Sequence, residues 1–188
     1  MRTGIVDWRG VSRFVLFALT GAAFFAYWAL AHPAGEMTTS MREWPRVLAF
    51  SAVLLSLTIA VPLFGRFVGG RLVGRWADVA GAGAGLSSIA NVFEDGFGID
   101  AAFFAFILGT LIVNIALLAL AITIARSMPG RYGLLAAIPA GTMVGILWFV
   151  TVGGPLMLLT WLGAASGTAM LSRRRRRREP PTPSLAAW

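Results

Sequence analysis

Trp76-Ala-Asp-Val-Ala-Gly-Ala-Gly-Ala-Gly-Leu-Ser-Ser-Ile-Ala-Asn-Val-Phe93 is the stretch whose reading decides the fold. Its hydropathy is weak, and alone it reads as a glycine-rich loop. The arginines around it argue otherwise. If it crosses a membrane, Arg2, Arg9, Arg13, Arg66, Arg71, Arg75, Arg126, Arg131 and the run Arg173 to Arg178 share one side, and only Arg42 and Arg46 lie on the other. If it does not cross, Arg126 and Arg131 change sides. The tendency of basic loops to stay in the cytoplasm favours the crossing. Glu36, Glu43, Glu94, Asp95 and Asp100 then fall on the outer side. A re-entrant or interfacial helix is the alternative.

Working outward, Phe14–Ala31, Val47–Phe64 and Ala101–Ala125 are apolar runs bounded by charged residues. Tyr132–Leu171 is apolar for about twice the ~20 residues that one span needs. Gly153-Gly154-Pro155 divides it, because glycine permits the turn and proline suits the first turn of the next helix. The sequence therefore predicts an all-α integral membrane protein, a compact bundle of about six transmembrane helices. The expected spans are 14–31, 47–64, 76–93, 101–125, 132–150 and 155–171, forming one domain over 1–172, with both termini cytoplasmic. The remainder, 173–188, reads as a polybasic, proline-rich disordered tail. The first span also has the layout of a signal peptide, although its core is long and aromatic for one.

Composition agrees with a bilayer environment. Hydrophobic residues make up 57% of the 188 and charged residues 13%, against about 25% charged in a soluble domain. The net charge of +8 owes much to the unbroken run Arg173, Arg174, Arg175, Arg176, Arg177 and Arg178. That run directly follows the last span, so contact with anionic lipid at the cytoplasmic face, or with a partner, fits it better than nucleic acid. Lysine and cysteine are absent, which removes Schiff-base chemistry, disulfides and thiolate ligands. Arginine-only basic usage with abundant Ala and Gly points to a GC-rich bacterial genome, and so to an inner (plasma) membrane. No cofactor or metal is expected.

Small residues four apart mark close helix approach in lipid. Gly81 and Gly85, Gly141 and Gly145, and Gly163 and Gly167 have that spacing, so each pair is expected on a packing face. The third span is nearly all small residues, which places it at the bundle centre.

The densest polar constellation is Asn91, Glu94, Asp95 and Asp100, between the third and fourth spans. Three carboxylates and an amide there are a candidate site for a cation or cationic group. Asn114, one turn beyond Thr110, is a polar residue near mid-membrane and a second candidate ligand contact. Against these stand plainer readings: a polar outer loop, and an interhelical hydrogen bond. Asp78 reads as a helix N-terminal acid paired with Arg75. His32 reads as interfacial, with Trp28, Trp44, Trp76, Trp148 and Trp161 as aromatic belts.

No P-loop or His-Glu-x-x-His occurs, and Gly163-Ala-Ala-Ser166-Gly167 is not a nucleophile elbow. The expected function is a non-enzymatic membrane subunit, scaffold or accessory protein, working with a membrane-protein partner or as a homo-oligomer. A small-solute transporter, or its substrate-binding component, is the alternative. A membrane-embedded enzyme acting on a lipid-linked substrate is the third.

Overall fold

The computed structural model describes residues 8–31, 44–128 and 130–178. They form six α-helices: α1 (Trp8–Ala31), α2 (Trp44–Val68), α3 (Arg71–Asn91), α4 (Ala102–Ser127), α5 (Ala137–Leu147) and α6 (Gly154–Arg178). No strand occurs among the described residues. Ser12–Ala31 of α1, all of α2 and all of α4 are long and apolar enough to cross a membrane. The glycine-rich stretch is helix, not loop. His32 and the prolines of the expected tail lie outside the described residues.

Short connections reverse the chain. Between α2 and α3 the turn is Gly69-Gly70, with φ of 87° and 94°, a left-handed pair that side-chain-bearing residues avoid. Val92–Gly96 continues α3 as one wide π turn, closed by Phe97 N–H donating to Val92 O at 3.2 Å. The predicted break before Pro155 is a second π turn, Phe149–Gly153, in which the Trp148 carbonyl accepts from the N–H groups of Thr151, Val152 and Gly153. The fifth segment is less regular than expected. A 3-10 turn, Gly130–Ala136, precedes α5. The eleven residues of α5 rise only about 16 Å, and the 3-10 turn adds about 14 Å.

The last helix runs on past the expected span end at 171: α6 reaches Arg178, so Arg173, Arg174, Arg175, Arg176, Arg177 and Arg178 hold helical positions. Arginine is a good helix former, and no proline interrupts the chain until Pro180. Charge ends the apolar run there without ending the hydrogen-bonded backbone.

Consecutive helices pack antiparallel. Gly65 meets Ala77 and Gly81 meets Pro62 between α2 and α3, Gly83 meets Gly109 between α3 and α4, and Gly141 meets Thr160 between α5 and α6. Gly21 against Leu158 and Trp161 joins α1 to α6, which closes a ring. The third helix is therefore not central, as the sequence led us to expect. It packs on α2 and α4 and leaves Leu72, Arg75, Asp78, Val79, Ala82 and Ile89 exposed. A helix without bulk nests closely between two neighbours but cannot fill the middle. The bulk of the buried interior comes from Phe17 and Phe24 of α1, Leu57 and Phe64 of α2, Leu117 and Leu120 of α4, and Met157 and Trp161 of α6, and α3 adds only Val73, Ala77, Ala80 and Ala84 to it.

Asp78 also differs from expectation. It stands in the second turn of α3 and pairs with Arg66 of α2 at 3.7 Å, across the helix–helix turn. Both side chains are more than half exposed, so the pair contributes at most about 1 kcal/mol.

Candidate functional site

The polar residues of α3 lie on two faces, set by the helical repeat. Gly81, Gly85 and Ser88 turn toward α2, and Gly83 and Ser87 toward α4. Glycine brings the backbones together, and the hydroxyls and amide then reach across. Ser88 Oγ donates to Ser51 O at 2.8 Å. Asn91 Nδ2 donates to Ser51 Oγ at 3.0 Å and, more weakly, to Val47 O at 3.4 Å. Ser51, Ser88 and Asn91 are all buried. Toward α4, Ser87 Oγ donates to Phe106 O at 3.2 Å and shares a 3.2 Å hydrogen bond with Thr110 Oγ1. Interhelical bonds of this kind average about 0.6 kcal/mol in a membrane, up to about 1.7. Together they fix the rotation of α3 between its neighbours.

The structure gives the members of the expected outer constellation different settings. Asn91 is turned into the α2 seam. Glu94 and Asp95 are half-buried on the π turn, and each is already engaged in an interaction. Asp100 is exposed beyond the left-handed Gly98 and supplies no side-chain cap to α4. Among the described residues, no three His, Cys, Asp or Glu side chains gather closely enough to hold a metal ion.

The turn is covered from α2. The Trp44 indole lies over Gly96, where a Cβ would fall 2.8 Å from its ring, and Trp44 meets Phe97 edge to face at 5.2 Å. One neighbour of this region was missed in the sequence. Tyr27 is buried on α1, stacked on Phe50 at 5.2 Å, and its hydroxyl is within electrostatic reach of Asp95 and Arg46. Their separation along the chain hides the grouping.

Asn114 is half-buried near the middle of α4. Its Nδ2 donates to Thr110 O of the same helix at 2.8 Å, while Oδ1 is buried without a partner. The expected interhelical bond is thus a bond within α4, with one acceptor left over.

Four of the six expected packing glycines face a neighbouring helix. A Cβ on Gly81 would lie 2.6 Å from Pro62 Cγ, on Gly141 2.5 Å from Thr160 Oγ1, and on Gly145 2.7 Å from Met157 Cγ, while Gly85 has ordinary contact with Thr58 at 3.5 Å. The third pair differs. Gly163 has open space where its Cβ would be, and Gly167 meets only Leu135, at 3.9 Å. The four-residue spacing puts two residues on one face without saying which face is covered. Gly21, Gly65, Gly83, Gly109 and Gly154 are close-contact glycines that the spacing did not single out.

The basic run is placed by its backbone. Arg173, Arg174, Arg175, Arg176, Arg177 and Arg178 make the last six positions of α6. Six consecutive residues of an α-helix cover about 600° of turn. The six positions therefore go all round the helix rather than marking one face.

Comparison of this chain with protein-family models, with curated proteins and with solved structures finds no match.

Proposed function

We propose that this chain is a multi-pass protein of the bacterial inner membrane whose six helices all cross the bilayer, with both termini cytoplasmic, and that it acts as a non-enzymatic subunit, scaffold or accessory protein. The observation that carries the reading is the fate of Asn91. The residue best placed to lead an outer binding cluster spends its amide on Ser51 and Val47 of α2. Polar groups used as adhesive between helices build a rigid body for other proteins to work against. The six arginines ending α6 are suited to anionic headgroups at about 1 kcal/mol each.

Crossing by α3 is supported by its course. It runs beside α2 from the Asn91–Val47 contact at one end to the Ala77–Gly65 contact at the other. Single cysteines at the exposed positions Leu72, Ile99 and Ser127 give a background-free topology test, since the chain has no cysteine of its own. Leu72→Cys and Ser127→Cys are expected to label from the cytoplasm and Ile99→Cys from outside. Labelling of Leu72→Cys and Ile99→Cys from the same side rejects the layout. Cross-linking at native expression level tests the subunit role: recovery of the chain always alone removes it.

A small-solute carrier is the second reading, favoured by the partnerless Oδ1 of Asn114. It requires Asn114→Ala to abolish solute uptake in a protein that remains folded, and unchanged uptake dismisses it.

A further inference from the structure

The outer side of α3 sets a problem of its own. This helix is less apolar than α1, α2 and α4, the three that could cross a membrane by length and composition alone. It nevertheless stands at the edge of the bundle, and among the described residues nothing covers its outer side. That side is a single stripe. Arg71, Arg75, Asp78, Ala82, Leu86 and Ile89 follow one another at intervals of three or four residues, so they share one helix face. All are exposed except Leu86, which is half-buried.

Polarity changes along this stripe. Its charges lie within about 12 Å of the Gly69-Gly70 turn, and its apolar side chains take the rest of its length. Arg66 joins the charged end from α2, where it pairs with Asp78 at 3.7 Å. Neighbouring positions on the helix keep Arg71, Arg75 and Asp78 together. Arg71 and Arg75 form no ion pair with any described residue. Three guanidinium groups against one carboxylate leave this end with a net charge of +2.

That charge selects the occupant. Copies of one chain share an orientation in the membrane, so a contact between two α3 helices would bring two such basic ends to the same depth, where they repel. An anion is attracted instead. A basic end at the membrane surface followed by an apolar length matches a phospholipid, head first and then tail. Ala82 offers only a methyl group where the tail would begin, which leaves it room. We propose that the outer face of α3, with Arg66, is a docking site for an anionic phospholipid. The phosphate lies against Arg71 and Arg75, and an acyl chain runs over Ala82 toward Ile89. The site rests on α3 crossing the bilayer, and it is separate from the arginines that end α6.

The test titrates the full chain, in a neutral detergent, with dioleoylphosphatidylglycerol, and with dioleoylphosphatidylcholine as the neutral control. The anionic lipid should raise Tm and the neutral one should not. Each arginine near a membrane surface strengthens the binding of anionic lipid about fivefold. Arg71→Gln combined with Arg75→Gln should therefore raise the lipid concentration for half the shift about 25-fold. The lipid-free Tm should stay the same, because both side chains are exposed. Ala82→Trp puts bulk in the path of the tail without changing charge and should weaken binding too. Changing Arg173 to Arg178 to Gln should leave the need for Arg71 and Arg75 intact. Equal stabilisation by the two lipids, or an unchanged titration in the double variant, overturns the proposal. Disulfide cross-linking of Ala82→Cys between two copies in dioleoylphosphatidylglycerol vesicles does so as well, because it gives the face to a second copy. Cysteine labelling separates the two levels of failure. Leu72→Cys and Ile99→Cys labelled from opposite sides, with no lipid preference, reject the site alone. Labelling of both from one side rejects the crossing on which it rests.

Discussion

The seam between α3 and α4 and the seam between α1 and α6 are both made with glycine, yet they pack by different means. Between α3 and α4, glycine meets backbone. The Cβ position of Gly83 is 2.9 Å from Gly109 O, and that of Gly109 is 2.8 Å from both Gly83 O and Ser87 N. Between α1 and α6, glycine is a notch for a large side chain: Gly21 receives Trp161, and Gly154 receives Trp28. The first arrangement brings main chains close enough for the short hydroxyl of Ser87 to reach across to Phe106 and Thr110. The second fills the ring with aromatic bulk, as where Phe17 packs against Trp161 at 5.4 Å and Phe64 at 6.4 Å. Small side chains thus specify position, and large ones supply volume.

The volume side of that contrast gives the largest expected effect. Trp161 is 1% exposed and one of the largest fully buried side chains. Trp161→Ala should lower stability by about 3–5 kcal/mol, read by denaturation in lipid nanodiscs. A loss below about 1 kcal/mol would mean that the ring interior is loosely packed and that the two seams do not divide the work as described. Next comes backbone contact. Gly109→Ala places a methyl 2.5 Å from Ser87 Oγ and against main-chain atoms that cannot swing aside. About 1–3 kcal/mol is expected to be lost. Gly85→Ala, on the same helix as Gly83 but in ordinary contact at 3.5 Å, is the control and should be tolerated. Equal losses from the two would show that α3 is not held by close backbone approach.

The hydrogen bonds of α3 rank third. Asn91→Ala removes two bonds to α2 and leaves the Ser88–Ser51 bond in place. A loss of about 1–2 kcal/mol is expected. Ser51→Ala, made in the same background, should then cost less than it does alone, because both changes break one bond. Strict additivity would show that the Asn91 amide does not hold the two helices together.

These ranks show where the sequence was informative. Apolar runs between charges mark α1, α2 and α4, because length and composition are local properties. The expectation of a third helix came from Arg66, Arg71, Arg75, Arg126 and Arg131, an argument from loop charge rather than hydropathy, and the stretch is helical. Partners across helices are different. Asn91 was visible as polar, but its acceptor Ser51 lies forty residues earlier, in a span where serine looks incidental. Arg66 rather than Arg75 pairs with Asp78 for a related reason: a Gly-Gly turn folds two helices so that distant charges meet. The 3-10 opening of the fifth segment was hidden because its residues are as apolar as those of a regular span. At Arg173 the opposite happened: hydropathy falls abruptly, while the helix, which answers to backbone propensity, runs on to Arg178.

Gly163 gives the smallest effect and the sharpest test of face against spacing. Gly141 and Gly163 each belong to a glycine pair four residues apart, and spacing alone predicts the same response from both. Packing predicts opposite responses. Gly141→Ala drives a methyl into Thr160 Oγ1 at 2.5 Å, whereas Gly163→Ala enters open space on the outer face of α6. Alanine also recovers up to about 1 kcal/mol of helix propensity. Gly163→Ala should therefore be neutral or slightly stabilising in isolated protein, while Gly141→Ala destabilises. If Gly163→Ala instead weakens the protein only in native membranes, the loss must come from something that covers α6 there.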